Sequence, residues 1–215
     1  MTPGRVRRRA GEPPLTSEGF RAETGVSRET LERLAAYADL LGRWQRRINL
    51  VGPSTLEDLW RRHMVDSAQL FPLLPPGART LVDLGSGAGF PGLVLAIMGV
   101  PEVHLVESHR RRATFLGEAA RVAEVEVTVH AVRIEDLSPF PADVVTARAL
   151  APLRKLLEYA APFLGPEGVG LFPRGRGVEI DLTGLGEIWH MRIDRIPSRT
   201  DPSATILRIG ALRPA

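Results

Sequence analysis

Residues 81–92 read Leu-Val-Asp-Leu-Gly-Ser-Gly-Ala-Gly-Phe-Pro-Gly, and no other stretch restricts the fold of this chain so tightly. The short run 81–84 suits a buried strand, and three alternating glycines follow it at once. Gly85, Gly87 and Gly89 permit backbone geometries and close approaches that a Cβ would block. Pro91 presets φ for a first helical turn, which residues 93–98 continue. A strand, a glycine turn and a helix in that order make a cradle for a nucleotide cofactor.

The rest of the chain is consistent with one α/β unit carrying a helical extension. Its 215 residues can bury a sizeable core. No apolar run approaches the ~20 residues of a membrane-spanning helix, and no apolar segment follows the arginines of the N-terminus as in a secretory signal. Cysteine is absent, which excludes disulfide and thiolate chemistry and fits a cytoplasmic protein. The isoelectric point near 10.1 accompanies a net charge of only +3, because Lys155 is the sole lysine and arginine stays charged to high pH. What matters is whether the arginines cluster.

Residues 1–15 mix arginine, proline and glycine without periodicity and read as a disordered basic tail or an arm for nucleic acid. The segment 16–77 reads as a helical extension. Ser27 caps a helix whose apolar positions run from Leu31 to Ile48, and Ser54-Thr55-Leu56-Glu57 fits a capping box opening a helix toward Phe71. From 78 to 215 strand and helix patterns alternate, with strands at 103–107, 127–131, 143–147 and 168–172 and a helix over 153–163. That alternation predicts a mainly parallel sheet. Segments 191–196 and 205–209, joined through Pro197-Ser198 and Asp201-Pro202, predict a closing antiparallel pair.

Gly87 to Gly92 also match Gly-x-Gly-x-x-Gly, the pattern of a dinucleotide site and an NAD-linked oxidoreductase, but a lone match carries little weight. Asp83, two residues before Gly85, gives the order Asp-x-Gly-x-Gly-x-Gly, which resembles the first motif of Rossmann-like S-adenosylmethionine methyltransferases. A pyrophosphate seeks helix-end amides and no nearby carboxylate, whereas a sulfonium and an α-amino group tolerate one. Glu107, at the end of the second strand, stands where a carboxylate accepts two ribose hydroxyls, a feature that both cofactors share.

Four segments resemble the glucose-inhibited division protein B family, the small-subunit ribosomal RNA methyltransferases G. They are Trp44 through Asn49-Leu50 with Arg62-His63-Met64-Val65-Asp66-Ser67, then Asp83 through Phe90-Pro91-Gly92, then Val106-Glu107-Ser108 with Arg110-Arg111-Arg112, and Thr146-Ala147-Arg148-Ala149. The resemblance implies a class I methyltransferase fold that uses S-adenosylmethionine to methylate N7 of a guanine in 16S ribosomal RNA, free or in a small-subunit particle. It implies that Gly85, Gly87 and Phe90 meet the cofactor, that Glu107 holds its ribose, that Ile134 and Glu135 meet its adenine and that Arg148 lies at the cofactor and substrate pocket. Two departures stand out. Arg174-Gly175 replaces the family's usual Lys-Gly, and Asp201-Pro202-Ser203 stands where a basic residue usually precedes the last strand.

Guanine N7 has a free lone pair, so its methylation needs alignment and no general base. No catalytic base is assigned. RNA contact is expected from Arg47 with Arg43 and Arg46, from Arg62 with Arg61 and the neighbouring His63, from Arg110, Arg111 and Arg112, and from Arg174 with Arg176. His63 could equally support the pocket through Asp66 and Ser67, one helical turn away. No metal is called for, and no long apolar stripe demands a second subunit, so a monomer is expected. A small-molecule methyltransferase and a non-catalytic RNA-binding assembly factor remain as alternatives on the residues alone.

Overall fold

A computed structural model describes residues 13–177 and 182–215. Residues 1–12, most of the expected tail, lie outside them. The last residues expected to belong to that tail are fixed. Leu15 donates its backbone N–H to the buried Asp58 carboxylate at 2.9 Å, and the Pro13 carbonyl accepts from Arg61.

Seven strands form one sheet in the order β3-β2-β1-β4-β5-β7-β6. They are β1 (Thr80–Leu84), β2 (Glu102–Val106), β3 (Thr128–His130), β4 (Ala142–Thr146), β5 (Leu164–Arg174), β6 (Trp189–Pro197) and β7 (Thr205–Pro214). The first five are parallel; β7 pairs antiparallel with both β5 and β6. This is the expected mainly parallel sheet with its antiparallel C-terminal pair. The parallel strands are apolar on both sides because helices cover both faces. Within β1 the side chains alternate: Leu81 joins the core beneath α2 (Arg28–Gln45), α5 (Gly92–Ile97) and α6 (Arg110–Val122), while Val82 and Leu84 join the core beneath α7 (Leu153–Ala160). Strand order reverses between β1 and β4, and a crevice opens there beyond the carboxyl ends of the strands.

The N-terminal extension differs in detail from the sequence pattern. Ser27 caps α2 as expected, accepting the Thr30 N–H at 3.0 Å. A further helix, α1 (Ser17–Thr24), precedes it, capped by Thr16 and closed by Gly25 in a left-handed conformation. With Phe20 its only buried residue, α1 has almost no apolar period to reveal it in the sequence. The Ser54 capping box does not form. Pro53 opens the short α3 (Pro53–Leu56), and the Thr55 hydroxyl turns back to the Gly52 carbonyl at 2.7 Å. The helix expected toward Phe71 is broken into a π-helical turn (Trp60–Val65), α4 (Asp66–Ala68) and a 3-10 turn (Phe71–Leu73). Such wide turns re-aim side chains, here Arg62 and His63.

Among the described residues, no helix is long and apolar enough to cross a membrane and no three His, Asp or Glu side chains gather as metal ligands.

Candidate functional site

Two cavities meet in the crevice. The first, about 570 Å³, is lined by the glycine loop (Gly85, Ser86, Gly87, Ala88, Phe90), by Glu107 and Arg112, and by Ile134, Glu135 and Tyr159 on its far side. The second, about 710 Å³, is lined by Arg62, His63, Asp66, Arg174, Arg176 and the turn between β6 and β7. Leu50, Val51 and residues 148–151 line both, so they form a shared wall. Ala149 in that wall has φ 53°, a left-handed conformation that a non-glycine residue adopts at a cost of roughly 1–2 kcal/mol.

The loop is held from three sides. Gly85 has φ 68°, and a Cβ there would approach Leu150 Cδ1 of the shared wall to 2.6 Å. Gly92 starts α5 directly against the Asp83 side chain, where a Cβ would lie 2.6 Å from Asp83 Cβ. From the extension, the Tyr37 hydroxyl donates to the Ala88 carbonyl, and burial pushes that phenol well above its ordinary pKa. From β2, the Glu107 carboxylate accepts the Gly87 N–H at 3.0 Å and the His109 N–H at 2.7 Å. The Glu107 carboxylate therefore clips the loop, a role that its place at a strand end does not reveal in the sequence. Each of its oxygens keeps a second lone pair for a ligand hydroxyl.

Asp83 does not line either cavity. It is fully buried under the loop, its Oδ1 accepting the Thr146 hydroxyl at 2.7 Å and its Oδ2 left without a hydrogen bond. Burial pushes its carboxyl up to about 6, against the weaker opposing effects of the Thr146 hydrogen bond and the Arg148 charge. Its part in the site is therefore structural. Across the first cavity, Glu135 accepts the Tyr159 hydroxyl at 2.6 Å, which holds its carboxyl below the usual range. Tyr159 was not singled out in the sequence, where it reads only as one position of an amphipathic helix.

The shared wall turns on Arg148. Its Nη2 lies 2.8 Å from His63 Nδ1 and its Nη1 3.4 Å from Asp66 Oδ2, with the guanidinium 5.0 Å from the centre of the Phe90 ring. His63 stacks on the same ring at 4.8 Å, and its Nε2 lies 2.8 Å from the Thr55 hydroxyl. Arginine can only donate, so Nδ1 accepts and Nε2 carries the proton. The hydrogen bonds run one way, from Arg148 to His63 to Thr55 to Gly52. Burial, then Arg148, then Arg62 push the imidazole down to about 2. His63 is thus neutral with both ring nitrogens engaged inside the protein, while its ring still lines the second cavity.

The other arginines separate. Arg61 pairs with Asp58 at 2.8 Å and lines neither cavity. Arg174 reaches the Ala151 carbonyl at 3.0 Å and, with Arg62 and Arg176, edges the second cavity. Arg112 lines the first cavity, Arg110 and Arg111 are exposed beside it, and Arg47 lies in neither. The turn after β6, which carries Asp201-Pro202-Ser203 ahead of the last strand, lines the second cavity through Ser198, Thr200 and Asp201. It is tied down by Thr200 to Asp66 at 2.7 Å and by the Arg199 N–H to Gln69 at 2.8 Å. Gln45 was also missed: its amide accepts the Leu50 and Val51 N–H groups, each at 3.0 Å, and folds the loop after α2 into the shared wall.

Comparison with known proteins gives a consistent picture. The family model described as GidB, rRNA small subunit methyltransferase G, matches residues 30–195. A ribosomal RNA small subunit methyltransferase G of Rhodospirillum centenum is 58% identical over 202 residues, covering 94% of each chain. One of Rhodospirillum rubrum is 57% identical over 94% of this chain and 100% of its own. Among solved structures, an S-adenosylmethionine-dependent O-methyltransferase from Thermotoga maritima superposes with TM-score 0.57 at 15% identity, covering 82% of this chain and 72% of that one. A ribosomal protein L11 methylase from Lactobacillus delbrueckii gives 0.53 at 18% identity, covering 67% and 77%. At these identities the structures speak for the fold alone.

Proposed function

The chain belongs to the GidB family of rRNA small subunit methyltransferases G, and from that premise we propose that it methylates N7 of a guanine in 16S ribosomal RNA with S-adenosylmethionine. One observation carries the reading: a loop-bound cavity of nucleoside-cofactor size meets a second, arginine-edged cavity at a wall made by Arg148. The first is the cofactor site. Gly85 and Gly87 leave the loop bare for close approach, Phe90 closes its base, Glu107 takes the ribose diol, and Ile134 and Glu135 flank the adenine. The cofactor, when bound, supplies a methyl group on a sulfonium.

The second cavity receives the guanine. N7 offers its lone pair without losing a proton, so the chain's task is to align the base and exclude water. Arg148 does the aligning. It lines both cavities and is fixed by His63, Asp66 and the Phe90 face, so its position is set before any ligand arrives. His63 serves as a positioning residue; an imidazole held near a pKa of 2 with no free nitrogen is no proton shuttle. Arg62, Arg174 and Arg176 meet phosphates flanking the target nucleotide, and Arg110, Arg111 and Arg112 meet RNA that passes the cofactor cavity. The target must be unstacked to enter, as in a loop or an open particle. The enzyme acts as a cytoplasmic monomer on 16S RNA or a small-subunit particle.

Calorimetry with S-adenosylmethionine and NADH, followed by transfer of a labelled methyl group to small-subunit particles, tests the reading. Binding of the first cofactor alone and label recovered as 7-methylguanine are expected. Preference for NADH, or label transferred only to small molecules, would reject it.

A further inference from the structure

Charge is arranged differently in the two halves of α2. In the first half, Arg28 reaches Glu32 at 2.9 Å and Arg33 reaches Glu29 at 2.8 Å, so each cation has an acid one turn away. At the other end Arg43, Arg46 and Arg47 are exposed and, among the described residues, have no side-chain hydrogen bond or ion pair. Arg121, near the end of α6, is equally exposed and unpaired, and the four line one groove of about 430 Å³ between the helices. The acid in that groove, Glu118, is engaged by the Trp44 indole N–H at 2.7 Å.

Helix ends explain part of this accumulation. The carboxyl ends of α2 and α6 each present about half a negative charge, which favours cations nearby. Two such ends and Glu118 together offset about two of the four guanidiniums and leave the groove about two charges positive. The excess does not stop there. Arg112 Nη2 reaches the Asn49 carbonyl at 3.2 Å, two residues beyond Arg47, and Arg112 also lines the cofactor cavity. A basic band therefore joins the groove to the methyl-transfer site.

We propose that the α2–α6 groove is a second RNA-docking surface, which holds the sugar–phosphate backbone of the substrate outside the site where the methyl group moves. The inference rests on the reading of the chain as an RNA methyltransferase. Guanidinium forks match phosphate oxygens, and Trp44, with its N–H committed to Glu118, packs edge-on against Phe115. The groove thus contributes affinity independent of base sequence and sensitive to salt.

The test compares two charge-matched triple variants of the full chain. One removes groove arginines: Arg43→Gln, Arg46→Gln and Arg121→Gln. The other removes arginines paired within helices: Arg21→Gln, Arg28→Gln and Arg33→Gln. Affinity for 16S RNA and for small-subunit particles is measured from 50 to 200 mM salt, with kcat, KM and cofactor affinity alongside. The groove variant should flatten the slope of log affinity against log salt by about 2, at roughly 0.7–0.9 per phosphate contact. Its KM for RNA should rise about tenfold or more, with kcat and cofactor affinity unchanged. The control should stay within about twofold of the parent on every measure. Equal behaviour of the two variants, whether both weaken or neither does, overturns the groove. If the parent binds RNA but transfers no methyl group, the methyltransferase reading fails, and the salt slopes still decide the groove.

Discussion

The two cavities that share Arg148 are built in opposite ways. The first draws most of its walls from short consecutive stretches: a strand end with its glycine loop, the end of the next strand, and the turn at 132–135. The second gathers Arg62, Asp66, Arg148, Arg174 and Thr200 from a π-helical turn and the start of α4, two strand ends and a hairpin turn far apart in the chain. On the proposed function, a cofactor common to many enzymes meets a local backbone device, and a particular substrate meets side chains that only the finished fold brings together.

Arg148 belongs to both cavities, and its loss should produce the largest effect. Arg148→Ala should lower kcat/KM at least a few hundredfold, about 3.5 kcal/mol of transition-state stabilisation, in methyl-transfer kinetics. Lysine should not restore it, because an ammonium cannot meet His63 and Asp66 together. Recovery above a tenth of parent activity in Arg148→Lys would mean that the wall needs only charge.

Gly85→Val should separate the cavities. With φ 68° and Leu150 Cδ1 2.6 Å from a would-be Cβ, a branched residue must displace the loop or the wall. Cofactor affinity by calorimetry should fall about hundredfold, about 2.7 kcal/mol, while RNA affinity holds. Normal cofactor affinity would count against the loop assignment.

A buried titrating group beside each cavity gives a third contrast, of about 2 kcal/mol. The fold raises Asp83 from 3.8 to about 6, so between those values it holds a proton that the unfolded chain releases. That part of the stability is lost as pH rises through the window. The fold lowers His63 from 6.5 to about 2, so the unfolded chain takes up a proton that the fold refuses. That part is lost as pH falls below 6.5. Each slope is at most about 1.4 kcal/mol per pH unit, and between about pH 4 and 6 they oppose. Asp83→Asn should therefore lose about 2 kcal/mol more than the parent on acidification from pH 6.5 to 4.5 in urea unfolding, and His63→Gln should lose less than the parent. Parallel curves for all three proteins would remove both shifts.

Thr200→Val should give the smallest effect. It removes the bond to Asp66 Oδ1, about 1 kcal/mol, and loosens the hairpin wall of the second cavity. KM for RNA should rise a few-fold with cofactor affinity constant; a change in cofactor affinity would show the cavities to be less separate than described.

This division also accounts for what the sequence could disclose. The strand–loop–helix unit, the Ser27 cap and Glu107 at a strand end are legible because spacing along the chain is their cause. Arg61 and Arg62 are adjacent and chemically identical, yet one pairs with Asp58 and the other edges a cavity; only helix geometry separates them. Gln45 folding back on Leu50 and Val51, Tyr159 meeting Glu135 and Thr200 meeting Asp66 leave no periodic trace. The break in the helix after Pro53 is hidden in the sequence because Thr55 bonds Gly52 and His63 in place of capping.

The most direct measurement is the mapping of 7-methylguanine in small-subunit ribosomal RNA from cells carrying the gene, lacking it, or carrying only the Arg148→Ala form. One 7-methylguanine is expected in the first, absent or nearly absent in the other two. The same modification undiminished in cells lacking the gene would contradict it.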